Sequence, residues 1–430
     1  MEETAKIQMR KRNMKLFPAY KKLAWDYIFF YTINFLFLTQ VKGINPADIV
    51  LIDSFYYLFS SIAQIPATLI IEFLGRKNSI IFANVLSCLY MVVIMLSRNL
   101  FNLIIAETIC SLAFAIKESA EPSLLNESIP PTRKKSEIFA RINEKGMSSY
   151  YIINGIATVL AGFLYEINPY IPICLSLATL IIVTLLSCLF IEPIEKNKKR
   201  KKNINIDQIK DLKDSFKFIL RSERIKSLIL FATLMTGLLG ILSNYEISLM
   251  EDLEIPASYL GILFAILGIT ASIGTKMQEK FHKKYRNKSL TIIGIAIVIS
   301  CILAGVLGIV SSTYKITIIF IIVFYLIKYI SAGTYYALIE KYLSNFTNKD
   351  IDTKIYTANN CIRSISAAAI GIMASFLLDR METAYCMIII GAIFLILMIL
   401  LSIYMKSRVG LKPEEYPKEE VKYDKLKELV

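Results

Sequence analysis

The chain has 430 residues, 55% of them hydrophobic, and a mean hydropathy of +0.53. A soluble chain of this length would divide into two or three domains, but here apolar runs of membrane-crossing length recur from end to end. A net charge of +14 leaves nucleic acid open as a partner until the charges are placed, whereas a single histidine, His282, excludes a histidine metal centre and a Ser-His-Asp triad.

In chain order the runs fall at 22–40, 48–72, 78–97, 100–124, 142–164, 169–191, 226–249, 257–279, 289–310, 315–340, 355–379 and 383–405. Each can cross about 30 Å of hydrocarbon as a helix rising about 1.5 Å per residue. They predict an all-α integral membrane protein with twelve transmembrane helices in two pseudo-symmetric six-helix bundles. The bundles are placed at 1–191 and 227–405, with a cytoplasmic basic linker at 192–226 and a cytoplasmic tail at 406–430. Further spans follow the first run, so it is not read as a removable leader.

Alternate connecting segments, both tails included, carry 42 of the 49 Lys and Arg residues, whereas the opposite side holds Lys42, Arg98, Lys315 and Arg380. This asymmetry predicts cytoplasmic termini and accounts for the positive charge without nucleic acid. In the linker, Ile206, Ile209, Leu212, Phe216 and Ile219 stand at helical spacing among lysines, which predicts an amphipathic helix on the inner membrane face. Seven cysteines lie inside apolar runs without a C-x-x-C, so they are read as core residues and no metal is expected. No G-x-x-x-x-G-K-[ST] occurs, and no carboxylates or histidines cluster as an enzyme would need. Neither cofactor nor enzymatic activity is expected.

The halves echo one another. "RKNSI" (Arg76–Ile80) returns as "RNKSL" (Arg286–Leu290), and Lys117 in span 4 matches Lys328 in span 10 at nearly the same offset. A six-helix unit used twice is a recurrent transporter design. The stretch "EFLGRKNSI" resembles the span 2–3 signature of the major facilitator superfamily, G-x-x-x-D-R-x-G-R-K. Glu72 takes the aspartate position and Gly75, Arg76 and Lys77 the last three, with departures at Thr68 and Phe73. "SAEPSLLNESI" (Ser119–Ile129) resembles the end of span 4 in bacterial members. The resemblance implies that Glu72, Gly75, Arg76 and Lys77 gate the cytoplasmic side. From the residues themselves, Gly75 permits a tight turn, and Arg76 and Lys77 anchor the loop at the headgroups.

Each ionisable residue within a span costs about 2.5–3.5 kcal/mol on insertion scales and so calls for a reason. Lys328 and Arg363 come nearest the midplane. They are read as an anchor for an anionic group or as partners of carboxylates across the bundle. Asn34 is a further candidate substrate contact. Asp26 and Glu118 are the proton-coupling candidates, because burial disfavours a charged carboxyl and a moving cavity changes that burial. Lys117 has Glu121 four residues on as a local partner.

The expectation is a secondary transporter in the bacterial inner membrane, monomeric, with a site between its halves and a small-molecule substrate. Proton-coupled efflux of an amphiphile leads. Uptake or exchange of an organic anion is the alternative within the class, and a non-transporting membrane receptor or partner protein the alternative outside it.

Overall fold

In the computed structural model, residues 2–130, 132–192, 216–217, 219–311, 314–346 and 352–411 are described, and among them the regular structure is entirely helical. The helices are α1 (Glu2–Ala24), α2 (Asn34–Leu36, continued by a π turn, Phe37–Val41), α3 (Pro46–Leu74), α4 (Arg76–Leu96), α5 (Leu100–Ser128), α6 (Lys135–Ile167), α7 (Tyr170–Cys188), α8 (Glu223–Asp252), α9 (Ala257–Tyr285), α10 (Ser289–Ser311), α11 (Thr317–Phe346), α12 (Asp352–Leu378) and α13 (Thr383–Met405). Local sequence starts several of them. Asn45 caps α3 by accepting from Ala47 N–H at 3.0 Å with Pro46 in the first turn, and Asn99 caps α5 by accepting from Asn102 N–H at 3.0 Å.

Among the described residues, ten stretches are long and apolar enough to cross a membrane, and one of them, Ala257–Ser311, contains both α9 and α10. The remaining crossing is the first, and it differs from expectation. The run at 22–40 is not one helix: α1 ends at Ala24, residues 25–33 are irregular, and helix resumes only at Asn34. The first helix instead reaches back to Glu2, because Met9, Asn13, Phe17, Tyr20 and Ala24 recur every three or four residues and are all buried. Within the break, Phe29 holds φ at +73°, a left-handed conformation that a bulky L-residue disfavours.

The chain forms two compact units, one of Met1–Arg200 with Ile255–Ala265, the other of Lys201–Glu254 with Ile266–Val430. In the first, Phe17, Tyr20, Ile116, Leu124, Val183 and Phe190 form the centre of an apolar core. Asn13, fully buried, clips α1 to this unit. Its Nδ2 donates to Ser128 Oγ at 2.9 Å and Ile191 O at 2.7 Å, and its Oδ1 accepts from Ile191 N–H at 3.0 Å. In the second unit, α9 and α11 meet through reciprocal glycines. A Cβ on Gly274 would lie 2.0 Å from Ile330 O, and one on Gly333 would lie 2.0 Å from Ala271 O. Small residues of this kind let membrane helices approach closely. The amphipathic helix expected in the linker lies outside the described residues except at Phe216, Lys217 and Ile219. Asn13→Ala removes three hydrogen bonds at a buried site and should lower unfolding stability by about 1–3 kcal/mol. The check is the melting temperature in detergent, which should fall.

Candidate functional site

The break in span 1 is held by polar side chains of the first unit. Where α1 stops, Lys117 of α5 donates from Nζ to Ala24 O at 2.6 Å, occupying one of the carbonyls that a helix end leaves open. Asp26 follows. Its Oδ1 accepts from Tyr27 N–H at 2.8 Å and its Oδ2 from the Tyr150 hydroxyl of α6 at 3.3 Å. Further along, Thr32 Oγ1 donates to Thr158 Oγ1 at 3.2 Å, and Asn34 heads α2 with its Oδ1 buried and without a hydrogen-bond partner. Behind Lys117, the local pairing with Glu121 is replaced. Glu121 takes the Lys21 ammonium at 2.5 Å and the Tyr20 hydroxyl at 2.8 Å, while Tyr20 accepts from Asn84 Nδ2 at 3.2 Å. A carboxylate one helical turn away on the same helix lost to a lysine from another helix, because Lys117 is drawn off to the helix end. Glu118, the neighbour of Lys117, is exposed.

Aromatic rings pack along the same segment. Tyr27 stacks on Tyr90 at 4.8 Å between centroids and meets the edge of Phe114 at 5.5 Å. Trp25 lies edge-on to Tyr150 at 6.5 Å, and Tyr150 is followed by Tyr151 at 5.3 Å.

The loop between α3 and α4 is a single residue, Gly75, at φ +81°. The left-handed backbone favours glycine there, and a Cβ would lie 3.2 Å from the Glu192 carboxyl carbon, so that side chain would have to shift slightly. Glu192 accepts from Arg76 N–H at 3.1 Å and Lys77 N–H at 2.7 Å, a carboxylate on the N-terminus of α4. The Arg76 guanidinium donates to Ser123 Oγ at 3.0 Å and ion-pairs with Glu127 at the end of α5. Gly75, Arg76 and Lys77 are therefore brought together with two acids that the sequence reading did not single out, Glu127 and Glu192. Glu72 is exposed, one turn back on α3.

In the second unit, Lys328 and Arg363 have different surroundings. Lys328 is buried and ion-paired with Glu246 of α8 at 3.0 Å, its ammonium also 4.2 Å from the Tyr329 ring centroid. Arg363 is half-buried and donates from Nε to Thr236 Oγ1 at 2.7 Å. Glu246 lies inside the apolar run 226–249. That it meets Lys328, 82 residues on, had no local signal.

The sequence profile of the Major Facilitator Superfamily matches residues 24–371, more than three-quarters of the chain. The chain belongs to that superfamily. An uncharacterised MFS-type transporter of Bacillus subtilis (strain 168), YxaM, is 21% identical over 274 residues, which cover 62% of this chain and 65% of the relative. The match thus spans less than two-thirds of that protein. Among solved structures, a bacterial homologue of the human lysosomal transporter Spinster superposes with a TM-score of 0.70 at 13% identity, covering 94% of this chain and 99% of its own. The nucleoside transporter NupG gives 0.69 at 12% identity, with 94% and 100% covered. A D-xylose–proton symporter gives 0.65 at 10%, with 95% and 98% covered. At these identities the likeness is one of fold.

Superfamily membership makes this a multi-pass membrane protein of the Major Facilitator class. Within that class the buried pair and the loop pair of this chain should differ in energy. Lys328→Met alone should destabilise by about 3–5 kcal/mol by leaving Glu246 buried and uncompensated, and adding Glu246→Leu should recover most of the loss. For Arg76 and Glu127, both part-exposed, the coupling should be about 1 kcal/mol or less. Double-mutant cycles on denaturant unfolding in micelles read both.

Proposed function

We propose that the chain is a proton-coupled secondary transporter that exports a small amphiphilic compound by alternating access, one six-helix bundle moving against the other. The observation that carries this reading is the break in span 1 at an ionisable residue. An irregular backbone within a membrane domain is tolerated only where protein or water meets its polar groups, and such breaks recur at the binding sites of transporters. Asp26 sits at the break, half-buried, with two neutral hydrogen-bond donors. It is the proton-carrying group of the proposal, with Glu118 a second, more exposed carboxyl on α5. Asn34, with its unpartnered Oδ1, is assigned a substrate contact. Gly75, Arg76 and Lys77, tied to Glu127 and Glu192, form the gating loop, joined by Glu72.

Protonation moves with conformation because the cost of a charged carboxyl depends on how much water reaches it. A movement that opens or closes the neighbourhood of Asp26 alters that cost. A proton gradient then biases the conformational equilibrium by its differential affinity for the two states. The proposal places the protein in a bacterial inner membrane, as a monomer with both termini in the cytoplasm.

A second reading, uptake or exchange of an organic anion, is supported by Arg363, whose Nε meets a neutral hydroxyl and which makes no ion pair among the described residues. Glu246 already neutralises Lys328, so this reading rests on Arg363 and not on the two cations together.

Reconstitution into proteoliposomes with an internal pH dye separates the readings. Lipophilic amines and neutral amphiphiles should drive proton movement in wild type, and Asp26→Asn should abolish it. A signal driven by organic anions and silenced by Arg363→Ala would establish the second reading instead. Ligand binding without movement of any compound would mean a receptor and sink both.

A further inference from the structure

A group of buried polar atoms without partners lies in the second unit, where α8 and α12 pack side by side. Contacts rise along both helices in the same direction. Arg363 Nε donates to Thr236 Oγ1 at 2.7 Å, a Cβ on Gly237 would strike Ile370, and the Tyr245 hydroxyl donates to Ala374 O at 2.8 Å. One turn before Arg363 on the same face of α12 stands Asn359, and one turn before Thr236 on α8 stands Thr233. Asn359 is 1% exposed, yet neither its Nδ2 nor its Oδ1 has a hydrogen-bond partner. The buried Oγ1 of Thr233 has none either. Arg363 is half-buried within a span and makes no ion pair among the described residues. Its charge acts on the phenols of Tyr335 and Tyr336 on α11, which carry no negative charge near neutral pH. Glu246 cannot serve it, being paired with Lys328 at 3.0 Å. Native proteins leave few buried polar atoms unpaired, because each keeps its full desolvation cost. Three of them at one level of one helix pair, beside a cation without a counter-charge, call for a ligand.

From this arrangement we propose that Arg363, Asn359 and Thr233 form a binding site for a monatomic anion, a halide, within the second unit. The inference goes beyond the transport reading and does not depend on it. The guanidinium repels a cation and supplies charge-assisted donors to an anion, and the Asn359 Nδ2 adds a neutral one. The Thr233 hydroxyl has one proton to give, to the anion or to Asn359 Oδ1. Thr236 positions the guanidinium, since its own hydroxyl is spent on Ala232 O at 2.7 Å. The three unpartnered atoms are shut off from solvent, so a ligand sheds its water to reach them. A singly charged halide does this at less cost than a divalent oxyanion, whose desolvation is dearer.

The experiment melts the purified full chain in maltoside micelles, followed by circular dichroism, in sodium chloride, bromide, sulfate, gluconate or benzoate. The pH and ionic strength are held constant. The melting temperature should rise saturably with chloride and bromide, by a few degrees once the halide is about 100 times its Kd. It should stay level with sulfate and gluconate. Arg363→Met and Asn359→Leu should each weaken the halide dependence about ten-fold or more, the scale of a lost charge-assisted contact. Asn359→Leu also replaces an unpartnered amide by an apolar group, so in gluconate it should melt no lower than wild type. Asn359→Asp is close to isosteric and brings the negative charge itself. It should therefore stay folded in gluconate and lose the halide dependence, which guards against a fold defect in the other variants. Equal shifts in gluconate and chloride, or a halide dependence unchanged in either Arg363→Met or Asn359→Leu, overturn the proposal. A melting temperature indifferent to every salt does so as well, and marks ordered water as the partner of Asn359. Stabilisation by benzoate with chloride inert overturns it in favour of the organic anion of the second reading.

Discussion

Hydrocarbon offers no water, so every backbone carbonyl, amide and charge carried into the membrane must be met by another part of the protein. Most of this chain meets that demand with uninterrupted helices. Span 1 does not, and the surrounding structure answers for it. Lys117 supplies the Ala24 carbonyl, Tyr150 and the Tyr27 amide supply Asp26, and Thr158 supplies Thr32. Asn34 Oδ1 is the side-chain acceptor of this segment left buried and unpartnered. A break of this kind, with Phe29 held at φ +73°, persists only because packed neighbours over-determine it.

The same demand organises the charges of both units, with different outcomes. Lys117 and Lys328 occupy matching places in the two halves, and both are buried. Lys328 meets a carboxylate, Glu246, at 3.0 Å. Lys117 meets a backbone carbonyl, which leaves its nearest carboxylates to others: Glu121 to Lys21, and Asp26 to neutral donors. Asp26 is thus left without a salt bridge among the described residues, whereas Glu246 has one. This difference supports the proton-carrying role proposed for Asp26.

At the α3–α4 loop, helix-terminus electrostatics replaces ion pairing as the organising force. Glu192 joins the end of the sixth span to the start of α4 by accepting two backbone amides, while Arg76 bridges to Glu127 on α5. Three helices are held at one corner by contacts that are part-exposed and individually weak. A corner of that kind can be released and remade at small cost, which is what the proposed gating role calls for.

The helical class, the number of crossings and the loop signature were legible in the sequence because each depends on local pattern: run length, turn residues and a short motif at fixed spacing. Seven cysteines were read as core residues; Cys110, Cys301 and Cys386 are buried, Cys88 and Cys361 half-buried, and Cys174 and Cys188 exposed. The partners of the charges were not legible. Glu121 stood four residues from Lys117 and lost it to another helix, and Glu246 gave no sign of meeting Lys328. Nor was the break in span 1 visible, since Trp25 to Ile33 is as apolar and aromatic as any helix nearby. Hydropathy reports only that a residue prefers to leave water. Which residue a buried charge meets, and whether a backbone stays helical, depends on which helices become neighbours, and only the tertiary structure decides that.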